Sequence, residues 1–312
     1  MNSRHAFTLI ELLVVITIIG ILAGLLLPVF SKGKGQAQGT YCLNNGKQMM
    51  VAIQLYTDDY HGFFPPNPDD GNTIPGYNWC SGQAGIGQTQ EFDPDVLKDP
   101  RLSLIITYLA GNITLFRCPA DQRTGKYQGA DPSLIGKTVP AARTFSMSQA
   151  VGTVDPGYDQ TGPGGRPGLM HSGVPDLSVN GPWLNNQDNH RRNSPWFTYG
   201  KPSEIGAPGP SMLWVLVDED ARGLNDAAFA FEMAGAASGG PAWIDTPGSY
   251  HNGGCGFAFA DGHSETHRWL SRGEKESQGA TVDSMADYQD WLWMRERTSA
   301  DTTGTMPQPT PP

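Results

Sequence analysis

Charge is scarce in this chain. Only 17% of its 312 residues are Asp, Glu, Lys or Arg, and the balance is acidic, with a formal net charge of −10. That balance argues against a phosphate backbone, and so against nucleic acid, as a partner; an acidic surface attracts divalent cations instead. Cysteine is also sparse. Cys42, Cys80, Cys118 and Cys255 are the four present, and none stands in Cys-x-x-Cys spacing, which argues against a zinc ribbon or a thioredoxin-like redox pair. No Gly-x-Ser-x-Gly and no His-Glu-x-x-His occurs, so two common hydrolase signatures are missing. No internal repeat is visible.

Other features are abundant. Gly (39) and Pro (25) imply many turns and long loops, short of low-complexity disorder. The length is sufficient for one large domain or two small ones. The outstanding feature lies at the start. From Phe7 to Phe30 run 24 residues broken by one charge, Glu11, and one proline, Pro28. As a helix this run spans roughly 36 Å, enough to cross a hydrocarbon core of ~30 Å. It is too long for a secretory signal peptide and has no small-residue cleavage site after it. A plain anchor fits the length but does not explain Glu11, since a charge inside a membrane segment costs ~2.5–3.5 kcal/mol and normally has a partner and a purpose. A buried core helix fits least, because nearly every face is apolar.

The segment FTLIELLVVITIIGILAGLLLP resembles the N-terminus of type IV pilins and type II secretion pseudopilins. The resemblance implies that a prepilin peptidase cuts between Ala6 and Phe7 and that Phe7 becomes the N-methylated first residue. Glu11 is then the fifth residue of the mature chain, where that family keeps its Glu. The family usually has Gly before the cut; Ala6 is a small departure. The physical logic is a pairing of opposite charges. The Phe7 amine of one subunit and Glu11 of its neighbour are each costly in an apolar setting and tolerable together, which sets axial register. Gly20 and Gly24 form a small-xxx-small spacing that permits close helix approach. The motif puts the N-terminus in the cytoplasm, the helix in the inner membrane and the bulk of the chain outside.

Past the apolar run, Pro28 and then Gly33, Gly35 and Gly39 predict a weak helix from about 28 to 40. The helical pattern resumes at Tyr41, with Met49, Ile53, Tyr56 and Tyr60 on one face, and Gly62 with Pro65-Pro66 ends it. Leu102–Leu109 is an apolar run of either helix or strand, and Thr114–Arg117 reads as a short strand. The stretch 152–182 reads as surface loop, and Met212–Val217 as a strand. Gly256–Ala260 and His263–Trp269 read as a hairpin closed by a two-residue Asp261-Gly262 turn. Residues 283–297 read as a helix.

A second resemblance covers both ends of the chain. HNGGCGFAFADGH looks like the C-terminal His-x9-Asp-Gly signature of a family of prepilin-like proteins, and CLNNGKQMMVAIQLYTDDYHGFFPPN and FRCPAD fit the same family. The two resemblances imply an α+β, pilin-like fold: a long N-terminal helix packed on an antiparallel β-sheet with long Gly/Pro-rich loops. The chain then divides into a leader (1–6), a transmembrane and assembly helix (7–30), its continuation (31–61), an extracytoplasmic head (62–297) and a disordered tail (298–312). The implied product is a processed, minor pilin-like subunit of a type IV pilus or type II secretion pseudopilus filament, not an enzyme; the alternative is a surface-displayed carbohydrate-binding or adhesion module on a pilin scaffold.

Three sets of side chains in the head are candidates for more than packing. His251, Asp261 and His263, with Asp218 and Glu219, read either as a divalent-cation site or as a pinned turn. The carboxylates suit calcium, whereas the imidazoles suit a transition metal better. In an exported domain the four cysteines read as up to two disulfides, in any of three pairings, or as free thiols. Trp183, Trp196 and Tyr199 read as a carbohydrate-stacking platform or as buried aromatics.

Overall fold

The computed structural model describes residues 9–69, 73–154, 177–185, 190, 192–235, 240–271 and 279–303. Ala6 and Phe7 lie outside these residues, as does most of the loop expected at 152–182. The described chain is an α+β assembly consistent with a pilin-like fold. One long helix, α1 (Leu9–Asp59, 51 residues), opens it. A second, α2 (Met285–Thr298), closes it.

Between them stands a five-stranded sheet built from β1 (Phe145–Ser148), β2 (Trp214–Asp218), β3 (Ala228–Phe229), β4 (Gly254–Phe259) and β5 (Ser264–Arg268), in the order β5-β4-β2-β1-β3. Every pairing is antiparallel except β1 with β3. Strands β2 and β4, both interior to the sheet, are buried along their whole length, which explains why they read as continuous apolar runs rather than alternating ones. Three two-stranded ribbons decorate this sheet. Strand β5 begins after the turn and pairs Ser264 with Ala258.

The core lies between α1, the sheet and α2. Met49, Met50, Ala52 and Ile53 of α1 are fully buried, together with Trp214, Leu216, Val217 and Phe257 of the sheet. Behind the sheet an aromatic cluster gathers Trp243, Trp269, Trp291 and Phe231 in edge-on and stacked contacts. Helix α2 starts at Ser284, whose hydroxyl accepts from the Asp287 amide.

Four expectations are corrected here. The helix does not loosen between 28 and 40; it is continuous through Pro28 and the three glycines. Thr114–Arg117 is no strand: Ile113–Phe116 is a 3-10 turn, and Asn112 Oδ1 accepts from the Thr114 amide at its start. The β4–β5 hairpin has a three-residue connection. Phe259 and His263 flank it, Gly262 donates to the Phe259 carbonyl, and Gly262 itself has φ +91°. This is a type I turn with a glycine bulge, not a two-residue turn. Finally, residues 298–303 are packed rather than disordered. Trp214 Nε1 donates to Thr298 Oγ1 at 2.9 Å, and the amides of Phe197 and Thr302 bond across to Ala300 and Pro195.

Candidate functional site

Two regions carry chemistry: the exposed half of α1, and the seam where its other half meets the head. In the first, Leu9–Leu27 is long and apolar enough to span a membrane and makes no buried contact with the head. Glu11 is its one ionisable residue and is exposed.

The seam is a stripe at helical spacing. Gly35, Gly39, Cys42, Gly46, Met49, Ile53 and Tyr56 follow one another at steps of four and three, so they share a face. Its upper part is apolar and buried; its lower part is small. A Cβ on Gly35 would meet the Asn252 side chain at 2.9 Å, and one on Gly39 would sit 3.5 Å from the His251 ring. A Cβ on Gly46 would lie 3.2 Å from Ala258 Cβ. From the other side, a Cβ on Gly256 would press to 3.1 Å from Cys42 Sγ. Two of the three glycines that predict a weak helix, Gly35 and Gly39, are therefore places where the head touches it. Contact with the 251–258 segment offsets their intrinsic cost of ~1 kcal/mol each.

At the middle of this seam the structure brings together residues from four distant parts of the chain. Cys42 comes from α1 and Cys118 from the loop after the 3-10 turn. Asp218 ends β2, and His251 opens the turn before β4. The Cys42 thiol donates to Asp218 Oδ2 at 3.5 Å, His251 Nε2 lies 3.4 Å from Cys118 Sγ, and the same nitrogen is 3.5 Å from Asp218 Oδ2. All four donor atoms lie within 4.8 Å of one another, and all four residues are buried.

Neighbouring groups hold them in place. Gln38 and Asn45 of α1 donate to the carbonyls of Pro119 and Arg117, at 2.8 and 3.1 Å, and so clamp the Cys118 loop to the helix. The Cys118 amide donates to Thr144 Oγ1. His251 sits on a tight turn in which Asn252 (φ +55°) and Gly253 (φ +79°) both adopt left-handed backbone, the combination Asn-Gly supplies best. Cys255 lies alongside, its thiol donating to the Asp218 carbonyl at 2.9 Å.

Electrostatics follow from this crowding of groups that carry negative charge when ionised. The Cys42 thiol is pushed well up by its hydrogen bond with Cys118, then by burial and by the Asp218 carboxylate. Burial and Asp218 do the same to Cys255. Burial alone would depress the His251 imidazole; hydrogen bonds and charge from Asp218 and Cys118 outweigh it and raise it to about 9. The cluster thus favours whatever positive charge it can hold.

The sequence-derived cation set is only partly assembled. His251 and Asp218 meet, but Asp261 and His263 sit at the hairpin tip, half-exposed. There Asp261 Oδ1 accepts from the His263 amide at 3.0 Å and contacts Nδ1 at 2.5 Å. Asp261 pins the turn by itself, and His251 plays no part in that. Glu219 points elsewhere and accepts a hydrogen bond from Ser146 Oγ; burial and Asp245 push its carboxyl well up. The oxygen-rich calcium set is therefore divided among three places.

The cysteines are four free buried thiols, not disulfides; Cys80 is not among the four grouped donors, and burial pushes it up to about 12. The carbohydrate platform is not formed either. Trp196 is buried beneath Arg295, and Tyr199 is buried with its hydroxyl donating to the Ala207 carbonyl at 2.5 Å. Trp183 alone is partly exposed, and its indole donates to Asp69. Cys42 and Cys118 as partners of His251 were missed by sequence reasoning. The signal was present: the three segments carrying the His-x9-Asp-Gly resemblance contribute Cys42, Cys118 and His251, one each.

Comparison with known proteins bears on the first region. The prokaryotic N-terminal methylation motif matches residues 1–27. No curated protein and no solved structure matches the chain. The prepilin-type motif joined to an apolar helix defines a pilin-type, processed N-terminus with a membrane anchor. Processing by a prepilin peptidase is implied by it, and proteins with this motif are structural rather than catalytic.

Proposed function

We propose that this chain is a subunit of a type IV pilus or type II secretion pseudopilus filament, with its head outside the inner membrane. The observation that carries the reading is the division of α1. Its C-terminal half builds the core of the head, while Leu9–Leu27 stays free of the head and presents an apolar surface interrupted by the Glu11 carboxylate. A helix needed only as an anchor gains nothing from a carboxylate at that depth. A helix that packs against its own kind gains a register mark, with Glu11 facing the amine of a neighbouring Phe7. The His-x9-Asp-Gly resemblance of the 251–263 segment supports the same reading. A minor, tip-proximal place follows from a head of about 250 residues, because bulky heads crowd a helical lattice.

Mass spectrometry of the native protein tests the first step: a mature chain beginning at N-methyl-Phe7 is expected, and an intact Met1 overturns it. Glu11→Ala tests assembly. The variant is expected to be processed and to reach the membrane but not to enter filaments, and incorporation at wild-type level would defeat the pairing. Long filaments immunolabelled along their whole length would overturn the minor assignment.

A further inference from the structure

We propose that Cys42, Cys118, Asp218 and His251 form a closed tetrahedral site for a zinc-class transition-metal ion, which staples α1 to the head. The donor set is chemically coherent, because thiolate, imidazole and carboxylate each bind zinc, and two sulfurs with one imidazole differ from the two-cysteine, two-histidine structural set only by a carboxylate in place of the second imidazole. Bond lengths of about 2.0–2.3 Å to such ligands imply tetrahedron edges of roughly 3.3–3.8 Å. Three of the six edges measure 3.5, 3.4 and 3.5 Å, and none exceeds 4.8 Å. The three measured edges already match a tetrahedron, and the others need to close by about 1 Å at most to seat an ion.

Two further observations point to a ligand. Asp218 is fully buried, and its Oδ1 has no hydrogen-bond partner among the described residues, so no protein donor answers that part of the carboxylate. The other oxygen, Oδ2, faces Cys42 and His251, so an ion in the cluster would complete a buried carboxylate that the protein leaves half-satisfied. The Ala120 amide also donates to Cys118 Sγ at 3.3 Å, a backbone donor aimed at sulfur that suits a thiolate better than a thiol. Four protein ligands leave no open position, so the site is structural, not catalytic. Binding releases the two thiol protons and the imidazole proton from His251 Nε2 to solvent as two metal–sulfur bonds and one metal–nitrogen bond form.

This site differs from the calcium arrangement expected from the sequence: two of its four ligands are soft sulfurs, from cysteines that an export compartment would otherwise oxidise to each other. The proposal stands independently of filament assembly. The test uses the full chain, purified in detergent under mild reduction and exposed to Zn(II) and then Co(II). About one zinc per chain is expected by elemental analysis, and cobalt should give the sulfur-to-metal charge-transfer and tetrahedral ligand-field bands. Cys42→Ser/Cys118→Ser should lose the metal, from about one per chain to near none, while Cys80→Ser keeps it. The cobalt spectrum of the unmodified chain needs no variant, so it decides the matter even if the double variant does not fold. No bound metal in the folded wild-type chain overturns the proposal. So does metal retained by the double variant, or a Cys42–Cys118 disulfide in the natively exported protein.

Discussion

Buried charges in the head are each held by a small number of named groups. Arg143 is fully buried and donates to the carbonyls of Phe145, Gly82 and Asp226 and to Ser146 Oγ. Its positive charge also acts on buried Glu219. Arg143→Ala should therefore lower stability by about 3–5 kcal/mol, because it strands three carbonyls and a carboxyl together. Denaturant midpoints measure this, and a loss below 1 kcal/mol would contradict it. Glu232 offers a pH-dependent counterpart. It is almost wholly buried, and burial raises its carboxyl to about 7, against one opposing hydrogen bond from the Gly235 amide. A raised carboxyl stabilises the fold below its unfolded value near 4.5, and that contribution is lost as pH rises through about 7. Glu232→Gln should flatten stability over that window and leave the variant roughly 1–3 kcal/mol more stable than wild type at pH 8. A pH-stability curve parallel to wild type would refute this.

At the scale of elements, the seam on α1 separates glycines that are used from glycines that are not. A Cβ on Gly33 meets nothing within 4 Å, whereas one on Gly46 meets Ala258 and Ser264. Gly33→Ala should stabilise the helix by up to ~1 kcal/mol. Gly46→Leu should destabilise the head by about 1–3 kcal/mol through overpacking against β4 and β5. Thermal unfolding in detergent compares the two, and equal shifts would mean that the stripe is not a contact surface.

This contrast also shows where the sequence was legible. Hydropathy revealed the anchor, because its composition has one physical solution. The β4 and β5 hairpin was legible because Asp261-Gly262 marks a turn between strand-length runs. The stripe was misread because helix propensity counts the cost of a glycine and not what packs on it. Ile113–Phe116 was misread because β-favouring side chains gave no hint of Asn112 closing a tight turn at its start. The cluster around Asp218 was invisible to spacing, since topology alone joins positions 42, 118, 218 and 251.

At the scale of the molecule, the first and last helices, α1 and α2, meet the same sheet. Helix α1 covers β4 and β5, while Thr298 at the end of α2 receives the Trp214 indole proton of β2. Ending the chain at Arg297 should leave that indole N–H buried without its acceptor and lower stability by about 1–3 kcal/mol, measured by denaturant midpoint. Unchanged stability would show that residues 298–303 merely lie on the surface.

The continuity of α1 has a geometric consequence. The apolar window ends at Leu27, and the first glycine against the head is Gly35. The seven residues between them are helical, and the eight steps from Leu27 to Gly35, at 1.5 Å each, form a rigid spacer of ~12 Å. The stand-off between bilayer surface and head is therefore set by counting residues, not by a hinge. Inserting four residues after Lys32 would lengthen it by ~6 Å and rotate the head by about 40° around the helix axis. The same residues that tether the subunit would then aim its head in a different direction.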